Sequence, residues 1–116
     1  RRDWGAAQDY VRAMHLALQH DEPGDYVVAT GQSHSLDEFV AAAFSAVGVA
    51  DHTGLVRSNP DLYRPTDILE TRGDPAHVES TLGWERTTGF DELVEAMVRA
   101  DVARLESGVE HSADYL

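Results

Sequence analysis

The stretch YVVATGQSHSLDEFV, residues 26–40, decides the fold because a strand pattern, a turn and a helix start follow one another directly. Residues 26–30 form a short β-branched run that predicts a buried strand, which Gly31 ends. Ser35 and Glu38 have the spacing of a capping box, in which the serine hydroxyl and the glutamate carboxylate each accept a backbone N–H at the helix start. The stretch therefore predicts a strand followed by a helix, which indicates a mixed α/β domain.

Two amphipathic helices are predicted in the N-terminal half. The first runs over residues 6–20, and the Pro-Gly pair in residues 21–25 breaks it. The second follows the capping box, and Gly48 is its expected C-terminal stop. The apolar stripe of the first helix comprises Tyr10, Val11, Met14, Ala17 and Leu18, and the expected buried face of the second comprises Phe39, Val40, Ala43, Phe44 and Val47.

The C-terminal half predicts two more helices. A short helix begins with Asp74 as its N-cap and Pro75 as its first residue, and it ends near Leu82 before Gly83. The last helix begins near Phe90, and its polar end is expected to fray. Its apolar stripe comprises Phe90, Leu93, Val94, Met97, Val98, Val102 and Leu105.

The pairing of strands is left open by the pattern. Residues 26–30 form the only convincing strand, and residues 55–57 form a weaker one. Because a lone strand leaves its backbone groups unpaired, either these two pair or the first pairs with something outside this chain. We expect a helix-rich mixed α/β domain over residues 1–106, with three to four helices and one or two short strands, and a frayed polar tail over residues 107–116.

Composition limits the classes of function. The chain has 116 residues, which suit one domain, and 21 acidic against 9 basic residues give a formal net charge of −12. This balance argues against a nucleic-acid or anionic-membrane surface, and no apolar run approaches the length of a membrane span. The absence of cysteine excludes disulfides, thiolate metal sites and cysteine nucleophiles, and it fits a cytoplasmic protein.

Arginines are the candidates for an anion site, since the chain contains no lysine. Arg2 precedes the first helix and Arg64 lies in the LYRPTD loop, so two planar guanidinium groups from separate loops could clamp a diphosphate. Composition alone favours the other interpretation, in which both arginines form surface ion pairs with the abundant acids.

The residues by themselves predict no catalytic group and no metal site. No two histidines have the i, i+4 spacing of a helical zinc site. His34 and Ser35 are interpreted as structural, because the Ser35 hydroxyl already serves as a helix cap. The chain has no G-x-G-x-x-G, no phosphate-binding P-loop and, without lysine, no Tyr-x-x-x-Lys pair.

Four motifs occur in one order: RRDWGAAQDYVRAM, DYVVATGQSHSLDEFV, LYRPTD and GDPAHVESTLGWERTTGFDELVEAMVRAD. Together they resemble the C-terminal part of the GDP-mannose 4,6-dehydratases, a family of the extended short-chain dehydrogenase/reductase superfamily, over residues 1–103. The R-D-W-G and A-T-G-x-x-H-S motifs distinguish this family from related sugar-nucleotide epimerases and reductases. Residues 49–59 match least. On this resemblance, the start of the chain is a cut through an enzyme rather than a true N-terminus.

The resemblance implies a two-domain enzyme. Its N-terminal Rossmann domain would bind NADP and carry the catalytic residues, while its C-terminal part would cover GDP-mannose. Hydride leaves C4 of the mannose, water is eliminated across C5–C6 and hydride returns at C6, which yields GDP-4-keto-6-deoxy-mannose, a precursor of fucose and rhamnose. The full-length enzyme would be a homo-oligomer. Since the family's catalytic residues are absent here, the chain alone is expected to be inactive.

The resemblance also implies substrate-binding roles for three residues. Arg2 matches the arginine of R-D-W-G and Arg64 that of the R-P loop, and such arginines face the GDP diphosphate or its ribose. Asp67 occupies the acidic position of the same loop and is expected to contact a sugar hydroxyl. With the resemblance added, a clamp is favoured over surface pairs. The alternatives are a stand-alone nucleotide-sugar-binding or interaction module without catalysis, and part of a related epimerase or reductase.

Overall fold

The residues that the structure describes fold into four helices and one very small sheet. A computed structural model describes residues 1–62, 64 and 66–108. The elements in chain order are strand β1 (Arg2–Asp3), helix α1 (Ala7–Gln19), strand β2 (Ser33–His34), helix α2 (Leu36–Ala46), a 3₁₀ turn (Pro60–Leu62), helix α3 (Ala76–Leu82) and helix α4 (Phe90–Glu106). β1 and β2 pair antiparallel, with Arg2 opposite His34. This arrangement confirms the predicted helix-rich mixed α/β class.

The helix boundaries confirm the local signals in the sequence. At the start of α2, the Glu38 N–H donates to Ser35 Oγ and the Ser35 N–H donates to Glu38 Oε2, both at 3.1 Å. At α3, the Asp74 carboxylate accepts the Ala76 N–H at 3.0 Å, but the helix begins at Ala76, one residue later than predicted, and Pro75 occupies the N-cap position. The helix ends at Gly83, whose φ of 63° is the left-handed conformation that favours glycine.

Neither predicted strand is paired within the described residues. A turn ends at Leu55, whose N–H donates to the His52 carbonyl at 2.9 Å, and residues 56–57 belong to no regular element. Residues 26–30 form no ladder, although Tyr26 and Val28 pack on the core and the residue between them is exposed. The described sheet instead pairs two segments of mostly polar residues, which carry no hydrophobic periodicity for a sequence pattern to detect.

The larger core lies between α1 and α3. Its fully buried members are Ala13, Val78 and Trp84, and the partly buried residues packed on them are Tyr10, Leu16, Tyr26, Val28 and Leu82. The Trp84 indole N–H donates to the backbone carbonyl of Asp9 at 2.8 Å. This bond satisfies the one polar atom of a buried indole, which fixes the ring between the two helices.

A second cluster of aromatic rings joins α2 to α4. Trp4 stacks on Phe39 with 4.7 Å between ring centroids, and His34 stacks on Phe90 at 3.7 Å. Phe39 and Phe90 then meet edge to face at 6.2 Å. The expected buried face of α2 is nevertheless only half-buried, and Val47 at its end is exposed, because α4 covers that face from one side alone.

Helix α1 differs most from its predicted packing. Its buried residues are Asp9 and Ala13, whereas Val11, Met14 and Leu18 of the predicted stripe are 61%, 62% and 81% exposed. The helix has apolar residues on two opposite sides, and the core occupies the side on which the sequence places a charged residue.

Two further expectations concern membranes and the tail. Within the part of the chain that the structure describes, no helix has both the length and the apolar character needed to cross a membrane. The predicted tail, residues 107–116, lies outside the described residues except for its first two, which close α4.

Candidate functional site

The Arg2 side chain connects β1 to the end of the LYRPTD motif and the residue after it. Its Nη1 donates to the carbonyls of Arg1 at 2.8 Å and Ile68 at 2.7 Å, and its Nη2 pairs with Asp67 Oδ1 at 3.1 Å. Both partners of this ion pair are partly exposed. The structure therefore brings together two of the three predicted site residues, although they are far apart in sequence.

Arg2 keeps part of its donor capacity. A guanidinium group has five N–H donors, and three are used in the contacts above, which leaves two without a partner among the described residues. The contact with Asp67 is also the surface ion pair that composition favours for an arginine. The structure accordingly fixes the position of the Arg2 guanidinium group but leaves two of its five N–H donors available for a ligand.

Arg64 is not brought into this cluster. Its side chain is exposed and forms no hydrogen bond or ion pair with any other residue in the described ranges. Tyr63 and Pro65, on either side of it, lie outside the described residues. Of the two arginines predicted to form the clamp, Arg2 is held by hydrogen bonds to Asp67 and Ile68, whereas Arg64 is exposed to solvent.

Asp3 holds the backbone of this site together, and the sequence analysis did not single it out. Its Oδ1 accepts the Thr30 N–H at 2.9 Å and the Thr30 hydroxyl at 2.6 Å, while Oδ2 accepts the N–H groups of Gly31 at 3.1 Å and Gly73 at 3.2 Å. One carboxylate thereby joins β1 to two distant segments. The feature of the sequence that could have indicated this role is the position of Asp3 between Arg2 and Trp4 in the R-D-W-G motif.

Gly73 allows this close approach. A Cβ atom built on it would lie 2.3 Å from the Cβ of Ala29, so no larger residue fits without displacing the backbone. A further bond, from the Thr71 N–H to the Arg1 carbonyl at 3.1 Å, ties the same segment to β1. Residues 67–73 consequently run beside β1, and their position determines where Asp67 meets Arg2.

An ionic network lies beside the pair. Arg1 donates from Nη1 to Glu38 Oε1 at 3.2 Å and from Nη2 to the Ser33 carbonyl at 2.6 Å, and the Ser33 hydroxyl bonds to the Glu70 carboxylate. Hydrogen bonds from the Ser35 backbone and then from Arg1 hold the pKa of Glu38 below its ordinary value. The Ser33 hydroxyl is the main cause of a lowered pKa at Glu70. Both acids are therefore charged at neutral pH and offset the positive charge of Arg1.

His34 and Ser35 have the structural roles predicted for them. His34 Nδ1 lies 3.2 Å from Glu38 Oε2, its ring stacks on Phe90, and the Ser35 hydroxyl accepts the helix-capping bond. No bond joins His34 to Ser35 among the described contacts, so they do not form a base and nucleophile. The described residues also contain no group of three or more metal-binding side chains.

Asp9 is the second acid that the sequence analysis missed. It lies on the inner side of α1, where its carboxylate accepts bonds from Arg12 at 2.7 Å, the Thr87 hydroxyl at 2.6 Å and the Thr87 and Thr88 N–H groups at 3.1 Å each. Burial raises the pKa of Asp9, but these donors outweigh it and hold the pKa below its ordinary value. Asp9 therefore fixes the loop between α3 and α4 to α1.

The residues of this chain do not fit a dinucleotide cofactor. Dinucleotide sites place a glycine-rich turn between a strand and a helix, so that backbone N–H groups reach the pyrophosphate. Here β1 is followed by Trp4-Gly5-Ala6 and β2 by the Ser35 cap, and the sequence has no G-x-G-x-x-G. No binding step for NADP is assigned to these residues.

The four helices and the two-stranded sheet form a helix-rich mixed α/β fold that is consistent with a small C-terminal domain of the extended short-chain dehydrogenase/reductase type. Comparison with known proteins then gives the family. The family model described as GDP-mannose 4,6 dehydratase matches residues 1–97, so the chain belongs to this family.

Curated relatives agree with this assignment. The chain is 43% identical to a GDP-mannose 4,6 dehydratase of Cricetulus griseus and 44% identical to one of Homo sapiens, in each case over 88% of this chain and 32% of the relative. It is 44% identical to GDP-mannose 4,6 dehydratase 1 of Arabidopsis thaliana, over 87% of this chain and 28% of the relative. The chain thus spans about a third of the length of the curated relatives it matches.

Proposed function

We propose that this chain is the substrate-binding portion of a GDP-mannose 4,6-dehydratase, a hydro-lyase that converts GDP-mannose to GDP-4-keto-6-deoxy-mannose for deoxysugar synthesis. The remainder of the polypeptide, a Rossmann domain, would bind NADP and supply the catalytic residues. The chain by itself would then be inactive. The whole enzyme would be a cytoplasmic homo-oligomer, and residues 1–106 would form the domain to which residues 107–116 add a polar tail.

The observation that carries this proposal is the Arg2 guanidinium, held by two backbone carbonyls in a chain of this family. A diphosphate needs planar, permanently charged donors, and a donor fixed before binding loses little conformational entropy when the ligand arrives. Arg2 has two N–H groups still available for phosphate oxygens. The exposed Arg64 would supply the second fork from the neighbouring loop.

Asp67 has a place in the same proposal. In the free protein it offsets the charge of Arg2 across 3.1 Å. A doubly negative diphosphate would take over that role, and the like charge of Asp67 would then be unfavourable beside the phosphates. We propose that the carboxylate turns to accept a hydrogen bond from a sugar hydroxyl of the substrate, which keeps it satisfied in the complex.

Calorimetric titration of the complete polypeptide with GDP tests the clamp. Arg2→Ala and Arg64→Ala should each weaken GDP binding by about 10- to 100-fold, because a charged hydrogen-bond donor contributes about 1.5–3 kcal/mol. Arg2→Lys, which keeps the charge but loses the planar fork, should fall between the parent and Arg2→Ala. Arg99→Ala removes an exposed arginine of α4 and should bind GDP like the parent.

The outcomes separate folding from binding. Arg2 also holds the 67–68 loop, so thermal unfolding of each variant must match the parent before its affinity is compared. If folded Arg2→Ala and Arg64→Ala bind GDP as tightly as the parent, the clamp assignment is wrong. If the complete polypeptide binds GDP but forms no 4-keto-6-deoxy product from GDP-mannose, the stand-alone binding module replaces the dehydratase. A different sugar-nucleotide product would indicate the epimerase or reductase alternative.

A further inference from the structure

The segment of residues 67–73 forms no helix or strand, so its position depends on the contacts that hold it. All but one of its described hydrogen bonds to the rest of the chain are made by residues 1–3. Arg2 holds the start of the segment, and Asp3 holds its end by accepting the N–H of Gly73 at 3.2 Å. Strand β1 therefore holds the segment at both ends.

The Asp3 carboxylate is fully used in contacts within the protein. Its Oδ1 accepts the Thr30 N–H and hydroxyl at 2.9 and 2.6 Å, and its Oδ2 accepts the N–H groups of Gly31 and Gly73. A carboxylate offers about four acceptor positions, and groups of the protein fill all of them here. Asp3 therefore has no acceptor position left for a ligand, and it can affect a ligand only through the segments that it holds.

Packing fixes the same end of the segment. A Cβ atom built on Gly73 would overlap the Cβ of Ala29, which is buried. The backbone of Gly73 thus lies directly against this side chain, and a larger residue there would push the segment away from Asp3. A hydrogen bond and a close packing contact together determine where the segment ends.

We propose that Asp3 is a positioning residue for the diphosphate of GDP. It holds the end of the segment 67–73 in place, and the segment in turn orients the Arg2 guanidinium through the Ile68 carbonyl at 2.7 Å. If the segment moves, the two free N–H groups of Arg2 turn away from the phosphate oxygens, and hydrogen bonds weaken steeply with misalignment. This inference rests on the proposed function, which places the diphosphate at Arg2.

Charge and position predict opposite effects for Asp3→Asn. The substitution removes a negative charge from the residue next to Arg2, so charge alone predicts tighter binding of an anion. Position predicts weaker binding, because asparagine keeps one acceptor oxygen but turns an NH₂ group toward N–H groups that need an acceptor. The end of the segment would then lose its hydrogen bond. The sign of the change in affinity separates the two explanations.

Calorimetric titration of the complete polypeptide with GDP tests the proposal. Asp3→Asn should weaken GDP binding by about tenfold, which is the effect of losing about one charged hydrogen bond. Asp9→Asn is the matched control, because Asp9 also accepts four hydrogen bonds but has no described contact with the segment 67–73. It should bind GDP within about twofold of the parent, since distant sites act independently. Urea denaturation checks that both variants are folded.

A second pair of variants moves the segment without removing a charge. Gly73→Ala should weaken GDP binding about as much as Asp3→Asn, because the new methyl group would collide with Ala29. Adding Ala29→Gly removes the atom that the methyl group would meet, so the double variant should regain most of the affinity. This pair decides the matter if Asp3→Asn does not fold. Unchanged binding by Gly73→Ala, or a loss that Ala29→Gly does not restore, would overturn the proposal.

The remaining outcomes are equally decisive. Unchanged or tighter GDP binding by folded Asp3→Asn overturns the proposal, and so does an equal loss in Asp9→Asn, since that indicates a general loss of stability. If Arg2→Ala and Arg64→Ala weaken GDP binding but Asp3→Asn does not, this inference alone fails. A loss in Asp3→Asn while both arginine variants bind like the parent overturns the clamp and this inference with it.

Discussion

Helices α1 and α4 both leave apolar residues in contact with solvent, but only α4 surrounds them with charge. Seven of the 17 residues of α4 are charged, and the Glu95–Arg99 and Asp101–Arg104 pairs lie along its surface. Only two of the 13 residues of α1 are charged, and neither belongs to the outer face of α1, by which we mean the exposed apolar residues Val11, Met14 and Leu18. The difference teaches that exposure alone does not identify a surface helix; the position of the charges separates a helix suited to water from one suited to a protein partner.

Removal of Asp9 tests the inner side of α1 and has the largest expected effect. Asp9→Ala leaves the Thr87 and Thr88 N–H groups without an acceptor and removes the ion-pair partner of Arg12. We expect the free energy of unfolding to fall by about 3 kcal/mol, as measured by urea denaturation. A loss below about 1 kcal/mol would show that the loop is held by other contacts.

A charge on the outer face of α1 tests the other side of the same helix. If other residues of the complete polypeptide cover this face, Leu18→Glu should lower the free energy of unfolding by about 2 kcal/mol, because the carboxylate would then lie in an apolar contact. Thermal unfolding measures the change. Leu18 is 81% exposed in this chain, so an unchanged midpoint would mean that the outer face of α1 faces solvent like the charged surface of α4.

The pH dependence of stability tests the contribution of Asp9 on the inner side of α1. The folded-state pKa of Asp9 lies below its ordinary value of 3.8, so its stabilising contribution is complete above that value and is lost as the pH falls through the folded-state pKa. The stability difference between the parent and Asp9→Asn should therefore be constant from pH 7 to about pH 5 and should shrink below about pH 4. Urea midpoints across this range measure it, and a constant difference down to pH 2 would exclude a lowered pKa.

The charged surface of α4 gives the smallest expected effect. Arg99→Ala breaks an exposed pair with Glu95, and such pairs contribute less than about 0.5 kcal/mol. Its urea midpoint should equal that of the parent within error, and a clear loss would mean that α4, too, is in contact with a partner.

The helices could be predicted from the sequence because their signals are local. The Ser35–Glu38 capping box and the Gly83 stop each involve residues within one helical turn, and both are present in the structure. The Asp74 carboxylate also bonds to the start of α3, which begins one residue later than predicted. The strands could not be predicted in the same way. A strand is defined by its partner, and the run at residues 26–30 has no partner in the described chain.

The candidate site was partly predictable. The motifs directed attention to Arg2, Arg64 and Asp67, but no sequence spacing indicates that Arg2 and Asp67 are in contact across 3.1 Å. Asp3 and Asp9 were missed for a related reason. Each carboxylate accepts bonds from several segments that are distant in sequence, so its role depends on a tertiary arrangement.

The sequence by itself determined the helix-rich α/β class, the four helices with their caps, and the motifs of the GDP-mannose 4,6-dehydratases, since each rests on neighbouring residues or on the order of residues along the chain. Only the tertiary structure decided which side of α1 is buried, which two short segments pair as strands, and which acid meets Arg2. These features depend on contacts between distant segments, whose free energy comes from burial and from hydrogen bonds that form only when the chain is folded.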